Sequence, residues 1–211
     1  MRIGIIGKGT VAQALAASLG TTHDIRFGVR QPRSQDHGTL PDVAAWADAV
    51  ILATPWRAEA DVATEIAAHV RGKPVLDATN PVVGAQHGPD VAAIDGAGSA
   101  AERLQSRLPG AHVVKTFNQT GAEFLKDPGA LRAKPAMFAA GDDEASRRIA
   151  LALIADAGFE PVDCGPLANA RHLESLAMIW IWQAIKGPLK RRFGFALSHL
   201  PTKLPQKDTD Q

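Results

Sequence analysis

The chain has 211 residues, 45% hydrophobic and 21% charged, which excludes a disordered or fibrous polypeptide and supplies enough apolar side chains for a core without covalent staples. Twenty-three basic residues against twenty-two acidic ones leave +1, so no long-range field draws the protein to nucleic acid or anionic lipid, and the expected partner is a small molecule. Cys164 is the only cysteine, which excludes an intrachain disulfide or thiolate metal cage and favours a cytoplasmic setting, and the absence of tyrosine excludes a Tyr-Lys proton donor.

The opening Met1-Arg2-Ile3-Gly4-Ile5-Ile6-Gly7 turns to glycine too early for a secretory leader, and no apolar stretch reaches the ~20 residues of a bilayer span. Ile3 to Ile6 is a predicted strand that runs into Gly7-Lys8-Gly9-Thr10-Val11-Ala12, a G-x-G-x-x-A turn. The helix that follows carries Val11, Leu15 and Leu19 at i, i+4, i+8. Between a strand and a helix such a turn is a dinucleotide fingerprint: Gly7 permits the bend, Gly9 removes a side chain from the path of the diphosphate, and Ala12 lets the helix lie close. The helix start then offers free N–H groups and partial positive charge to the anion.

The second predicted strand, Ile25 to Val29, decides between cofactors. An NAD site places an acid near its end, but here the chain continues Arg30-Gln31-Pro32-Arg33-Ser34 with no carboxylate before Asp36. Arg30, Arg33 and Ser34 suit a 2'-phosphate, which favours NADP; solvated loop arginines are the alternative.

Further strands are expected over Ala49 to Ala53, Pro74 to Leu76, His112 to Val114, Ala136 to Ala139 and Glu160 to Val162. Ser99 with Glu102 forms a capping box before Leu104 and Leu108, and Asp142 can cap a helix bearing Ile149, Leu153 and Ile154 that stops at Gly158. Strand alternating with helix makes this an α/β chain with a parallel sheet, whose ligands lie across the strands' carboxyl ends. Thr54, Pro55 and Trp56 follow one strand and Asn80 and Pro81 another, giving a cofactor strip and a nicotinamide end; Asn118, after a third, is a candidate for the second substrate. Simple strand termination is the alternative for both X-Pro pairs. Residues 80–98 make a long loop.

After Gly165-Pro166 the alternation ends, and Arg171 to Lys186 is expected to form one apolar helix, with Leu176 to Trp182 buried. This divides the chain into a nucleotide-binding domain (1–165), a small helical domain (166–200) and a frayed tail (201–211). Glu174 is expected on the solvent side, the commoner place for a carboxylate, with a buried, pKa-shifted acid as the alternative, and Cys164 as a packed thiol. The seven histidines show no metal-ligand spacing, and no catalytic acid-base pair stands out; hydride exchange between two bound rings needs alignment more than a side-chain catalyst.

The fingerprint turn together with Gly28-Val29-Arg30, Asp77-Ala78-Thr79-Asn80-Pro81, Lys115-Thr116-Phe117-Asn118, Ala140-Gly141-Asp142-Asp143 and the run from Asp163 to Glu174 resembles the NADP oxidoreductases dependent on the deazaflavin coenzyme F420. It is similar also to the reductase domain of the STEAP metalloreductases. The resemblance, from residue 1 to about residue 185, implies a doubly wound Rossmann-type parallel sheet with a small C-terminal helical domain. It further implies NADP, with F420 or a flavin as the second ring. By position it assigns Lys8, Thr10 and Val11 to the diphosphate loop, Arg30 to the 2'-phosphate, and Pro55 and Trp56 to the ribose. Val29 stands where the family often has a serine or threonine. Trp180 and Trp182 are candidates to stack on the ring, or to pack on the sheet or on a second subunit, and a homodimer is expected. The rival functions are a reductase of a small imine or carbonyl and a non-catalytic NADP sensor.

Overall fold

The computed structural model describes residues 1–92, 94 and 98–200, so the tail expected over 201–211 lies outside the described residues. Ile3, Ile5 and Ile6 are wholly buried because β1 (Arg2–Ile6) runs through the middle of a sheet covered on both faces. Parallel to it on one side runs β2 (Asp24–Gly28), followed by the short edge strand β3 (His37–Gly38). On its other side lies β4 (Ala49–Leu52), then β5 (Pro74–Asp77). A separate antiparallel hairpin, β6 (Val82–Ala85) with β7 (Gly88–Val91), occupies part of the expected long loop. The main sheet continues through β8 (His112–Lys115), β9 (Ala136–Gly141) and β10 (Glu160–Asp163), giving the order β10-β9-β8-β5-β4-β1-β2-β3. The order reverses between β1 and β4, which is where an open sheet of this kind leaves a crevice at its carboxyl edge.

One layer is built by α1 (Thr10–Leu19), α5 (Ala122–Lys126) and α6 (Glu144–Asp156), which bury Ala12, Leu15, Leu19, Leu125, Leu153 and Ile154. The opposite layer contains α2 (Leu40–Trp46), α3 (Glu59–Ile66) and α4 (Ala100–Arg107), which bury Val43, Val62, Ile66 and Leu104. The cap before α6 is Asp143, which accepts from the Ser146 N–H at 2.7 Å; Asp142, expected in that role, accepts from the Leu167 N–H instead.

The sheet is not wholly parallel. β9 pairs antiparallel with β8, and β10 follows β9. A parallel neighbour requires the chain to cross back to the amino edge. Here residues 116–135 stay at the carboxyl edge, with α5 packed on α1, so β9 starts there and runs the other way. The last helix, α7 (Ala170–Ile185), buries Leu173, Ala177 and Trp180 but leaves Ile179, Trp182 and Ile185 at 57%, 43% and 56% exposure. The expected buried run from Leu176 to Trp182 is therefore amphipathic, because only one side of α7 meets the rest of the protein.

Candidate functional site

The turn after β1 is pinned on both sides: the Gly7 N–H donates to Gly28 and the Ala53 N–H to Ile6, at 2.9 and 3.0 Å. Gly7 sits at φ +113°, and a Cβ there would lie 2.6 Å from the Ala53 carbonyl oxygen, so the fold itself demands glycine. Gly9 differs. Its φ of −73° suits any residue, and a Cβ would meet no protein atom within 4 Å. Neither backbone nor packing requires glycine at position 9, so the cradle is shaped for something that the protein does not supply.

That cradle belongs to a cleft of about 600 Å³ lined by Thr10 and Val11 from α1, Thr54, Pro55 and Trp56 after β4, and Thr79 and Asn80 after β5. The start of α1 has no side-chain cap and no acid in its first turn, whereas Thr39, Ser99 and Asp143 cap α2, α4 and α6. Its first N–H groups and its positive dipole end are therefore left for an anion. A diphosphate fits this geometry, and with it a dinucleotide lying across the ends of β1, β4 and β5. Trp56 is held by its indole N–H, which donates to Val82 at 3.2 Å, and by Arg103, whose guanidinium lies 5.2 Å from the ring.

Four expected residues sit apart, at the end of β2. Arg30 is 3.9 Å from Asp61, with both side chains more than 70% exposed. Arg33 donates to Gln31, and Ser34 donates to Asp36, which holds the Asp36 carboxyl below its usual range. Lys8 turns away from the cleft to contact His37 and lies 5.7 Å from the Phe27 ring. His37, whose Nδ1 accepts from the Arg33 N–H at 3.2 Å, joins this cluster although no motif marks it.

The far end of the cleft is built differently. Asn80 donates to the Asn118 carbonyl at 2.8 Å, and the Asn118 amide donates back to Asn80 at 3.0 Å and to Leu173 at 3.3 Å. Asn118 is only 4% exposed and also accepts from Gln119, so it holds Asn80 in place rather than lining the cleft. The turn that brings it there passes through Phe117 at φ +58°, a left-handed conformation that costs a bulky residue about 1–2 kcal/mol. Pro81 is buried and accepts from the Ala92 N–H at 2.7 Å, closing the base of the hairpin.

Behind this end lies a buried charge cluster that no local spacing reveals. Lys115 is wholly buried and donates to Asp77 at 2.9 Å and to the Thr79 carbonyl at 2.7 Å, with Glu174 at 3.2 Å. Burial works to lower the Lys115 pKa, but the Asp77 and Glu174 carboxylates outweigh it and the net shift is upward. Asp77 also accepts from the Thr79 N–H and hydroxyl, which fixes the backbone next to Asn80. Glu174, expected in solvent, is 2% exposed and accepts from the Ala100 and Ala101 N–H groups at the start of α4. The second carboxylate of the cluster is thus met by a helix dipole as well as by the lysine. Cys164 is half-buried, and burial raises its thiol pKa, which fits a packed thiol. Among the described residues no helix is long and apolar enough to cross a membrane.

Residues 2–81 match the family model described as NADP oxidoreductase, coenzyme F420-dependent. The chain is 29% identical to the F420-dependent NADP reductase of Methanothermobacter thermautotrophicus, over 95% of this chain and 89% of that one. It is 27% identical to the metalloreductase STEAP3 of Rattus norvegicus over 84% of its own length but 36% of that longer protein. The solved structure of a provisionally assigned F420-dependent NADP reductase from Arthrobacter sp. FB24 superposes with a TM-score of 0.80, at 28% identity, covering 93% of this chain and 99% of the other. With the glycine turn, the uncapped helix start and the matching architecture on the same polypeptide, the chain is an NADP-dependent oxidoreductase similar over most of its length to the F420-dependent NADP reductases.

Proposed function

We propose that this NADP-dependent oxidoreductase passes hydride between NADPH and the ring of coenzyme F420 or a flavin-like acceptor. The observation that carries the reading is the uncapped start of α1 beside Gly9, where the protein leaves room and N–H donors for a diphosphate. NADPH supplies the hydride, the acceptor ring takes it, and a proton from water completes the reduction. Thr10 and Val11 receive the diphosphate at the helix start, and Thr54, Pro55 and Trp56 wall the path towards Asn80. Lys8, Arg30, Arg33 and Ser34 recognise the 2'-phosphate from the β2 end, displacing the Asp61 and Asp36 contacts that Arg30 and Ser34 now make.

Among the described residues the lining includes no histidine, cysteine or carboxylate, which supports a contribution by alignment and exclusion of water rather than proton transfer. A reductase of an imine or carbonyl would need a donor that this lining does not offer. The same reading includes a homodimer closed over the exposed Ile179, Trp182 and Ile185 of α7 and a cytoplasmic setting, the first of which sedimentation equilibrium checks.

Rapid mixing of NADPH with F420, FMN, FAD and ferric chelates, followed by nicotinamide absorbance, tests the reaction. Oxidation by a ring acceptor is the expected result. NADPH binding with no oxidation by any of them overturns it.

A further inference from the structure

A second cavity, of about 680 Å³, opens at the carboxyl edge of the sheet and is lined in part by Phe124, Arg132, Arg191, Arg192, Phe193 and Phe195. Its position follows from the reversal at β9. Ala136 begins that strand at the carboxyl edge, and its N–H donates to the Phe195 carbonyl at 2.8 Å, so the segment after α7 crosses this edge as a strap. The strap is fixed rather than draped. Trp180 donates to the Phe193 carbonyl at 2.9 Å and stacks on the Phe193 ring with centroids 5.9 Å apart, while Phe195 stands edge-on to Phe193. Trp180 lies against Gly121, three residues beyond Asn118, so a single turn of chain runs from the Asn80 end of the cleft to this cavity.

The lining combines aromatic rings with three guanidiniums. Arg191 is committed: it donates to both oxygens of Glu123 at 2.9 and 2.7 Å and lies 5.3 Å from the Trp180 ring. Arg132 and Arg192 stand exposed at the cavity. Two guanidiniums beyond the one that Glu123 balances make this a local positive site in a chain whose net charge is only +1. Guanidinium forks match the oxygens of phosphate and carboxylate, and the apolar rings lower the local dielectric around them. The chain enters the strap through Lys190 at φ +53°, a backbone state that a lysine keeps only when its surroundings hold it there.

Resting on the hydride-transfer reading above, we propose that this cavity receives an anionic side chain, phosphate or carboxylate, carried by the acceptor ring, with Arg132 and Arg192 as its recognition residues. FMN and riboflavin share a ring and differ in one phosphate, and F420 can be paired in the same way with its ring lacking the phosphorylated side chain. Equilibrium dialysis of the full chain in the presence of NADP measures both pairs without requiring turnover. In at least one pair the anionic member binds roughly tenfold tighter, and the advantage shrinks as salt rises. It falls to about twofold or less when Arg132→Gln and Arg192→Gln are combined, with retained NADPH affinity reporting an intact fold.

Equal binding within both pairs, no binding of any member, or a preference that survives the double substitution overturns the proposal. The two readings fail separately. NADPH oxidation that is as efficient with the neutral rings as with the charged ones removes the anion site and leaves hydride transfer standing. Anion-dependent binding without any oxidation does the reverse.

Discussion

The two ends of the cleft solve different problems with similar residues. At the β2 end, Arg30, Arg33 and Ser34 on the loop after β2 and Lys8 on the turn after β1 are exposed and touch only neighbouring side chains. At the β5 end, Asp77, Lys115, Glu174 and Asn118 are almost wholly removed from water and bonded to one another or to backbone. Exposed charge recognises a ligand at little cost to the fold, whereas buried charge fixes backbone position and becomes part of the fold. On the proposed reading, cofactor choice at the β2 end is thus separable from stability, whereas the β5 end belongs to the fold itself.

The severest way to break this comparison is Lys115→Met, which leaves two buried carboxylates facing each other without their cation. A loss of about 3–5 kcal/mol in urea unfolding is expected, and a loss below about 1 kcal/mol would show that the buried end is not held by charge. Because the Lys115 pKa is raised, its contribution is complete at neutral pH and is lost only as pH climbs through the folded-state value.

Gly9→Val comes next and separates binding from folding. NADPH affinity measured calorimetrically should fall by roughly a hundredfold or more, while unfolding free energy changes by less than about 1 kcal/mol, since no protein atom lies within 4 Å of a Cβ at this position and its φ suits any residue. Retained binding would remove the diphosphate from the α1 start. Arg30→Ala sharpens the exposed end: NADPH affinity should drop about tenfold with NADH affinity nearly unchanged, and equal losses for both would dismiss the 2'-phosphate role.

The mildest effect concerns the opposite edge of the sheet, where Asp48 accepts from the Arg2 side chain and backbone and its pKa is lowered to about 2. A lowered carboxylate stabilises above its unfolded value and loses that contribution as pH falls through the folded one. On acidification the melting temperature should therefore fall more steeply in the wild type than in the Arg2→Met variant, because the substitution removes a contribution that is present near pH 7 and largely gone near about pH 2, so the variant's deficit closes as pH falls. A variant whose deficit stays constant across that range would contradict the pairing.

The sequence exposes the first half of the site more fully than the second. The glycine turn, the arginines after β2 and the Thr54-Pro55-Trp56 strip are contiguous motifs, and the structure seats each at the end of its strand. Strand direction is not written in an apolar run, so the reversal of β9 depends on where residues 116–135 go rather than on what Ala136 to Ala139 are. Lys115 sits in a quoted motif, but its pairing is hidden because its partners lie 38 and 59 positions away, and no spacing rule spans such distances. Glu174 looks like the polar side of a helix for the same reason. Its partners are on α4 and β8, and only the packed molecule makes it an interior residue.

That last contact limits how this enzyme can be recombined. A chimera that exchanges everything after Gly165 for the corresponding piece of a relative would import a new last helix, yet the ammonium beneath it would still come from β8 and the orphan amides from α4. Unless the graft brings a carboxylate to position 174, the junction inherits an interior cation short of one counter-charge. The last helix is therefore exchangeable only together with that single acid.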